Sequence, residues 1–362
     1  MPLVPSYIKK LKKYKPGKSV QEAELNNDGI KYIKLSSNEN PLGASPLAIK
    51  AIEETYKNLN RYPDASGYLL RSKLAKKFKV EIGNVTIGSG SEGIMSTIMR
   101  TFLLNDDEII GAEGSFIGFR VLANASGRKI IWVPMKERKY DLQRMAKKIT
   151  DYTKIIYIAN PDNPMGTYIT KSDFDAFYNH VPERVLIILD EAYYEYAKHQ
   201  HDYPDSMFYR YNNVITLRTF SKAYGLGGLR LGYGFAHKDL IENINKVKPP
   251  FEPSMPAQAA GIAALDDTDF LEKTIHENQK ERLYLLSEFK SLNIKFIISY
   301  TNFITTIWDD SDVAEVIVTK LLNKGIIVRK LSSFGWQNCI RISIGTSEEN
   351  LTLINALESI VQ

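Results

Sequence analysis

The chain has 362 residues, 44% hydrophobic and 25% charged, and its 47 basic and 42 acidic side chains leave a net charge of +5. That is a globular composition with length for about two domains, and the positive balance is too small to argue for nucleic acid by itself. One cysteine, Cys339, excludes an internal disulfide framework and a cysteine zinc site, and no stretch reaches the roughly 20 apolar residues of a membrane span.

A reducing, cytoplasmic setting fits the single cysteine, and the opening Met1-Pro2-Leu3-Val4-Pro5 lacks the charged-then-apolar design of a signal peptide. The arm that follows carries Lys9, Lys10, Lys12, Lys13, Lys15 and Lys18, which read as a solvated face, and Pro16-Gly17 ends any helix. Residues 46–58 read as a helix with Leu47, Ile49, Ile52 and Tyr56 on one face, and Leu69, Leu70, Leu74 and Phe78 repeat that spacing. A short strand at 85–87 and a helix at 94–104 come next. Apolar runs of strand length then recur at 109–110, 130–133, 155–159, 185–189 and 214–217. Strands without polar alternation, separated by helices, indicate an α/β domain whose sheet is mostly parallel and covered on both faces. Three prolines between Pro249 and Pro253 mark a hinge or domain boundary. Beyond it a long helix is expected over 270–289, with strands at 294–299, 303–308, 326–328 and 340–344 in a smaller α+β domain. The expected division is 1–45 as an arm and part of the small domain, 46–250 as the large domain, and 251–362 as the small one.

Gly88-Ser89-Gly90-Ser91-Glu92-Gly93 satisfies the dinucleotide pattern G-x-G-x-x-G between a strand and a helix. No acidic residue follows at the end of a second strand, as that fold requires. What survives is the helix start, where backbone N–H groups of Ser91 and Glu92 can receive a phosphate.

The segment from Thr219 to Arg230 is the richest in chemistry. It holds two hydroxyls (Thr219, Ser221), Lys222, a run of glycines, and Arg230 eight positions after the lysine. An amine beside an anion-binding cup suits a Schiff-base lysine for a phosphorylated aldehyde, although a surface lysine on a glycine loop would look the same. Asp190 directly follows a buried apolar run, and a charge there needs a partner. A protonated pyridine nitrogen is one candidate, and a helix cap is another. Tyr193 lies three residues on. Asn163, held in the Pro-rich turn 160–166, could donate to the same oxygen as Tyr193, and two donors there would lower the pKa of an imine formed on Lys222. The histidines offer no metal geometry; His199 and His201 are one residue apart on a polar loop.

These segments, together with 36–43 (Ser-Ser-Asn-Glu-Asn-Pro-Leu-Gly), 61–64 (Arg-Tyr-Pro-Asp), 190–193 (Asp-Glu-Ala-Tyr) and 338–346, resemble the fold-type I pyridoxal 5′-phosphate (PLP) aminotransferases of class I/II, most closely the histidinol-phosphate aminotransferases. The resemblance implies an aspartate aminotransferase-like fold and ping-pong amino transfer between histidinol phosphate and 2-oxoglutarate in a cytoplasmic homodimer. It implies Lys222 as the internal aldimine and proton shuttle, Asp190 at the pyridine nitrogen, and Asn163 with Tyr193 at the phenolic oxygen. Phe116 would stack on the ring. Ser91, Glu92, Thr219, Ser221 and Arg230 would form the phosphate cup, with Tyr62 lent by the neighbouring subunit. Arg341, assisted by Arg329, would grip an anionic group of the substrate, and Tyr14 would close over it, which gives the basic arm a second reading as a lid.

The sequence departs from the pattern at Met165 (usually Thr), Asp162 (commonly Asn), Glu92-Gly93 (usually Asp-Glu), Lys330 and the 248–255 segment, which borders the substrate. Aromatic amino-acid transamination and decarboxylation of a phosphorylated amino acid share the fold and stay open as alternatives. A noncatalytic PLP-binding regulator would need a DNA-binding domain, and fewer than about 45 residues precede the core motifs.

Overall fold

The computed structural model describes residues 3–13, 17, 20–25, 31–205 and 211–361. Its strands are β1 (Ile33–Lys34), β2 (Val85–Gly88), β3 (Glu108–Ala112), β4 (Lys129–Val133), β5 (Thr153–Ala159), β6 (Leu186–Asp190), β7 (Val214–Thr219), β8 (Gly232–Phe235), β9 (Lys295–Ile297), β10 (Phe303–Ile307), β11 (Ile326–Ile327), β12 (Arg329–Lys330) and β13 (Cys339–Ser343). β2 to β8 make a seven-stranded sheet in the order β2-β8-β7-β6-β5-β3-β4. The strands from β4 across to β7 pair in parallel, while β8 runs antiparallel to both β7 and β2.

The unbroken apolar runs have a simple cause. Successive strand residues point to opposite faces, and here both faces are covered. Ile156, Ile158, Ile187 and Leu189 enter one core cluster, and Ile155, Tyr157, Leu186 and Ile188 the other. β8 is not among the expected strands, because Gly232-Tyr233-Gly234-Phe235 is poor in strand-forming residues. Its glycine has a local reason: a Cβ on Gly232 would lie 2.5 Å from the backbone nitrogen of Ser91, so β8 can press against the turn after β2 only without a side chain there.

The small domain pairs β12-β13-β10-β9 antiparallel, and β1 joins β11 in a separate parallel pair. Its core gathers Leu35, Ile304, Ile340, Ile342 and Leu353. The helix Met255–Ala264 belongs elsewhere. Its Ala257, Ala260 and Ala264 enter the cluster that contains Ala48, Leu70 and Phe220. The proline run is therefore followed by a helix that packs with residues before it. The change of core falls inside the helix Thr268–Ser291, whose Leu271 packs in the first cluster and whose Leu285 and Phe289 pack in the second. Asp267 caps this helix by accepting from the Phe270 N–H, and it also accepts from Ser45 Oγ at 2.6 Å. One carboxylate thus ties together two helix starts of the large domain, since Ser45 caps Pro46–Thr55.

Candidate active site

β5, β6 and β7 end at the same edge of the sheet, where sites in open α/β folds gather. Behind β5 comes the turn 160–166, β6 ends on Asp190, and β7 leads from Thr219 to Lys222. These segments enclose a cavity of about 220 Å³, and Ser91, Glu92, Phe116, Asn163, Asp190, Tyr193, Thr219, Ser221, Lys222 and Arg230 all line it.

One end of the cavity is built to receive an anion. The helix Gly90–Phe102 starts there without a side-chain cap, so its first N–H groups have no intrahelical acceptor. Gly90 is left-handed (φ 79°), and a Cβ on it would collide with the Arg230 guanidinium. Thr219 Oγ1 accepts from the Ser221 N–H at 3.1 Å, and Arg230 Nη1 donates to the Gly227 carbonyl at 3.1 Å and to Ser221 Oγ at 3.3 Å. Glu92 Oε2 is 3.7 Å from Arg230 Nη2, with about half of each side chain exposed, so this pair is worth little.

The other end is dry. Tyr157 donates its hydroxyl proton to Asp190 Oδ2 at 2.8 Å, while Asp190 Oδ1 is buried with no hydrogen-bond partner among the described residues. Burial pushes the Asp190 carboxyl up to about 7, against the pull of the Tyr157 hydrogen bond. A buried carboxylate oxygen without a partner, on a residue that lines the cavity, fits a protonated ring nitrogen. Tyr193 is buried, accepts from Asn38 Nδ2 at 2.9 Å, and is pushed up to about 12 by burial, so its hydroxyl stays a donor. Asn163 Oδ1 accepts from Arg341 Nη1 at 2.5 Å. A guanidinium only donates, so the atom facing it is the oxygen, and the amide NH₂ occupies the other side. Phe116 precedes the helix Ile117–Ala125 and is half-buried at the cavity wall.

Lys222 joins the two ends. Its Nζ donates to the Ser37 carbonyl at 3.2 Å and lies 5.9 Å from the centre of the Tyr193 ring. Burial, assisted by the positive Arg341, lowers its pKa to about 8. A neutral, nucleophilic amine is therefore accessible near neutral pH.

Two buried arginines stand beside this dry end. Arg341 also donates to the Ser36 carbonyl at 2.7 Å, and Arg329 sits opposite it in the β12–β13 ladder, donating to Ser333 Oγ at 3.2 Å. Phe334 lies about 6.0 Å from both guanidinium carbons. These two cross-strand cations are not among the residues that line the cavity but adjoin it through Asn163, and together they favour an anion on that side. Tyr62 is not brought here by its own chain: it is 79% exposed and stacks on Phe251 at 4.4 Å. Tyr14 lies outside the described residues.

Sequence reasoning missed two neighbours. Asn38 takes a left-handed backbone (φ 54°) so that its side chain reaches both Tyr193 and Ser343; asparagine tolerates that conformation, a weak signal among ordinary loop residues. Tyr157 lies hidden in an apolar strand run, where its hydroxyl alone signals that a polar partner must wait inside.

Residues 30–357 match the family described as aminotransferase class I and II. The histidinol-phosphate aminotransferase of an Anaeromyxobacter species is 38% identical over 364 residues, covering 100% of both chains. That of Moorella thermoacetica is 39% identical over 357 residues, covering 98% of this chain and 92% of that protein. The crystal structure of histidinol-phosphate aminotransferase from Sinorhizobium meliloti, in complex with pyridoxal 5′-phosphate, superposes with a TM-score of 0.91 at 28% identity, covering 100% of this chain and 98% of that one.

Proposed function

The chain belongs to the class I and II aminotransferases, and from that premise we propose that it uses pyridoxal 5′-phosphate to pass an amino group between histidinol phosphate and 2-oxoglutarate. One observation carries the reading: Lys222 and Asp190, whose buried Oδ1 has no partner among the described residues, line one cavity whose far end collects phosphate-binding groups. Pyridoxal 5′-phosphate, when bound, supplies an aldehyde for amines and a ring that takes up the electrons left when a Cα proton departs.

The chain's own residues supply the rest. Thr219, Ser221, Arg230 and the backbone N–H groups of Ser91 and Glu92 hold the phosphate. Asp190 Oδ1 would accept a hydrogen bond from the protonated ring nitrogen and keep it protonated, and Asn163 with Tyr193 would donate to the phenolic oxygen. Phe116 covers one ring face. The Lys222 amine takes the Cα proton and returns it to the cofactor carbon, a task suited to an amine titrating near 8. Arg341, with Arg329 behind it, holds a substrate anion, and a guanidinium fork suits carboxylate and phosphate alike. Tyr62, exposed on its own chain, reaches the phosphate of a second subunit, so the working form is a homodimer. Among the described residues no helix is long and apolar enough to cross a membrane, and cytoplasmic histidine biosynthesis is the expected setting.

A substrate panel tests the reading: histidinol phosphate, phenylalanine, tyrosine and phosphothreonine, each with 2-oxoglutarate. Histidinol phosphate is expected to lead by at least about tenfold in kcat/KM, or about 1.4 kcal/mol of transition-state discrimination. A lead for phenylalanine would make this an aromatic aminotransferase. Carbon dioxide from phosphothreonine would make it a decarboxylase.

A further inference from the structure

Taking the cofactor reading above as given, we propose that Asp162 is a positioning residue that stands ionised behind Asn163 and Asp190 and adds a second negative charge to the field that the cofactor's ring meets. This residue is one of the departures noted in the sequence, a carboxylate where an amide is common, and it is fully buried.

The direction of a hydrogen-bond chain favours the charged form. The Ala159 N–H donates to the Tyr140 hydroxyl oxygen at 2.9 Å, and that hydroxyl lies 2.7 Å from Ser115 Oγ. Ser115 Oγ lies 2.5 Å from Asp162 Oδ1, and the Met165 N–H donates to Asp162 Oδ2 at 3.1 Å. Within this chain Tyr140 has one acceptor for its own proton, Ser115 Oγ. Ser115 must then give its proton to Asp162, so both carboxylate oxygens accept. A proton on Oδ1 would reverse the chain and leave the buried Tyr140 hydroxyl donating to nothing, which costs more than an ordinary hydrogen bond returns.

Burial works against this arrangement. It pushes the Asp162 carboxyl up to about 7, with the Ser115 and Met165 donors pulling it back. The titratable groups around it are Asp190, whose charge raises it further, and the phenols of Tyr140, Tyr157 and Tyr193, all held above the ordinary tyrosine range by burial and therefore neutral. Above about pH 7 Asp162 and Asp190 are two anions of one buried region, and each favours a cation on the ring side. The same carboxylate, through the Met165 N–H, holds the turn that presents Asn163.

Asp162→Asn and Ser115→Ala in the full chain test this with two readouts. The first is the pH midpoint at which the visible absorbance of the bound cofactor titrates. Loss of a nearby negative charge disfavours the protonated, cationic chromophore, so the midpoint is expected to fall in Asp162→Asn by about half a pH unit or more, and in Ser115→Ala by less. The second is the melting temperature of the cofactor-free chain against pH. An acid whose folded pKa is raised to about 7 lends stability at low pH that is lost as pH rises toward that value, so the wild type declines through this window and Asp162→Asn declines less steeply. If the midpoint is unchanged, or if the decline that Asp162→Asn removes runs on past about pH 8, Asp162 is protonated at neutral pH and the inference fails. Should Asp162→Asn not fold, Ser115→Ala decides: loss of a donor raises the carboxyl further, so the midpoint falls and the decline extends to higher pH, and if neither changes the inference fails. A wild type that takes up no cofactor overturns the cofactor reading instead, while the pH at which the decline ends in the cofactor-free chain still shows where Asp162 ionises.

Discussion

The two ends of the cavity solve different problems with different materials. At the anion-binding end the groups are backbone N–H, short hydroxyls and Arg230, whose side chain is 50% exposed. Water screens this end, and its geometry comes from neighbouring residues, such as left-handed Gly90 and the bare Gly232 that lets β8 approach. At the ring end Asp190, Asp162 and Tyr157 are buried, and burial first, then their hydrogen bonds and neighbouring charges, sets their protonation. The first end can be altered piecemeal. The second is a coupled set of charges, in which removing one member moves the rest.

Asp190→Asn gives the sharpest test of that contrast, because its effect should change sign with the cofactor. In the loaded enzyme the ring nitrogen loses its buried counter-charge, and turnover is expected to fall about a hundredfold or more, on the scale of about 3 kcal/mol for breaking a buried ion pair. In the cofactor-free chain the same change should stabilise. The Asp190 carboxyl is raised to about 7 in the fold, so ionising it at pH 8 costs folding free energy that is absent well below pH 4. The variant should therefore melt higher than wild type at pH 8, by an amount on the order of 2 kcal/mol, and the gap should close as pH falls. A variant less stable than wild type in both forms would mean that Asp190 is already paired without the cofactor.

Arg230→Gln makes the complementary change at the other end. A half-exposed guanidinium contributes about 1 kcal/mol to an anion, so the cofactor should bind about five- to tenfold more weakly when titrated into the cofactor-free chain. The melting temperature of that chain should keep its pH dependence, since no buried acid feels the change strongly. A shift in that pH dependence would show that the two ends are coupled after all.

The same contrast explains what could be read from the sequence. The anion-binding end is legible because its parts are local: Thr219, Ser221 and Arg230 fall within one segment, and Ser91 and Glu92 open one helix. Lys222 and Asp190 are legible because each follows an apolar strand, and residues at strand ends share an edge. The support of the ring end comes from distant segments. Asn38 precedes Tyr193 by 155 positions and Ser115 precedes Asp162 by 47, and nothing in the local pattern pairs them. Asp162 was visible as a departure but not as part of a hydrogen-bond chain, since Tyr140 and Ser115 carry no motif. β8 is not legible because its glycines answer to a close approach across the fold, and the proline run resembles a linker until the alanines of Met255–Ala264 are seen packing with Ala48 and Leu70.

A smaller effect concerns the hold of the small domain on the ring end. Trp336 Nε1 donates to the Gly114 carbonyl at 2.9 Å, and Gly114 is left-handed (φ 81°), directly before Ser115 and Phe116. A Cβ on Gly114 would collide with the indole, so the contact depends on the glycine. Around it Met165 of the large domain packs with Leu331, Phe334 and Cys339 of the small one. The indole therefore links the domain that carries Arg341 to the loop that carries Ser115 and Phe116. Trp336→Phe keeps most of the packing and removes one hydrogen bond, worth about 1 kcal/mol. Turnover is expected to fall about two- to fivefold. The pH midpoint of the cofactor absorbance should shift slightly with it, because Ser115 is the next residue along. Cofactor affinity, dominated by the phosphate, should stay within about twofold of wild type. A loss of affinity without a change in turnover would place the tie at the wrong end.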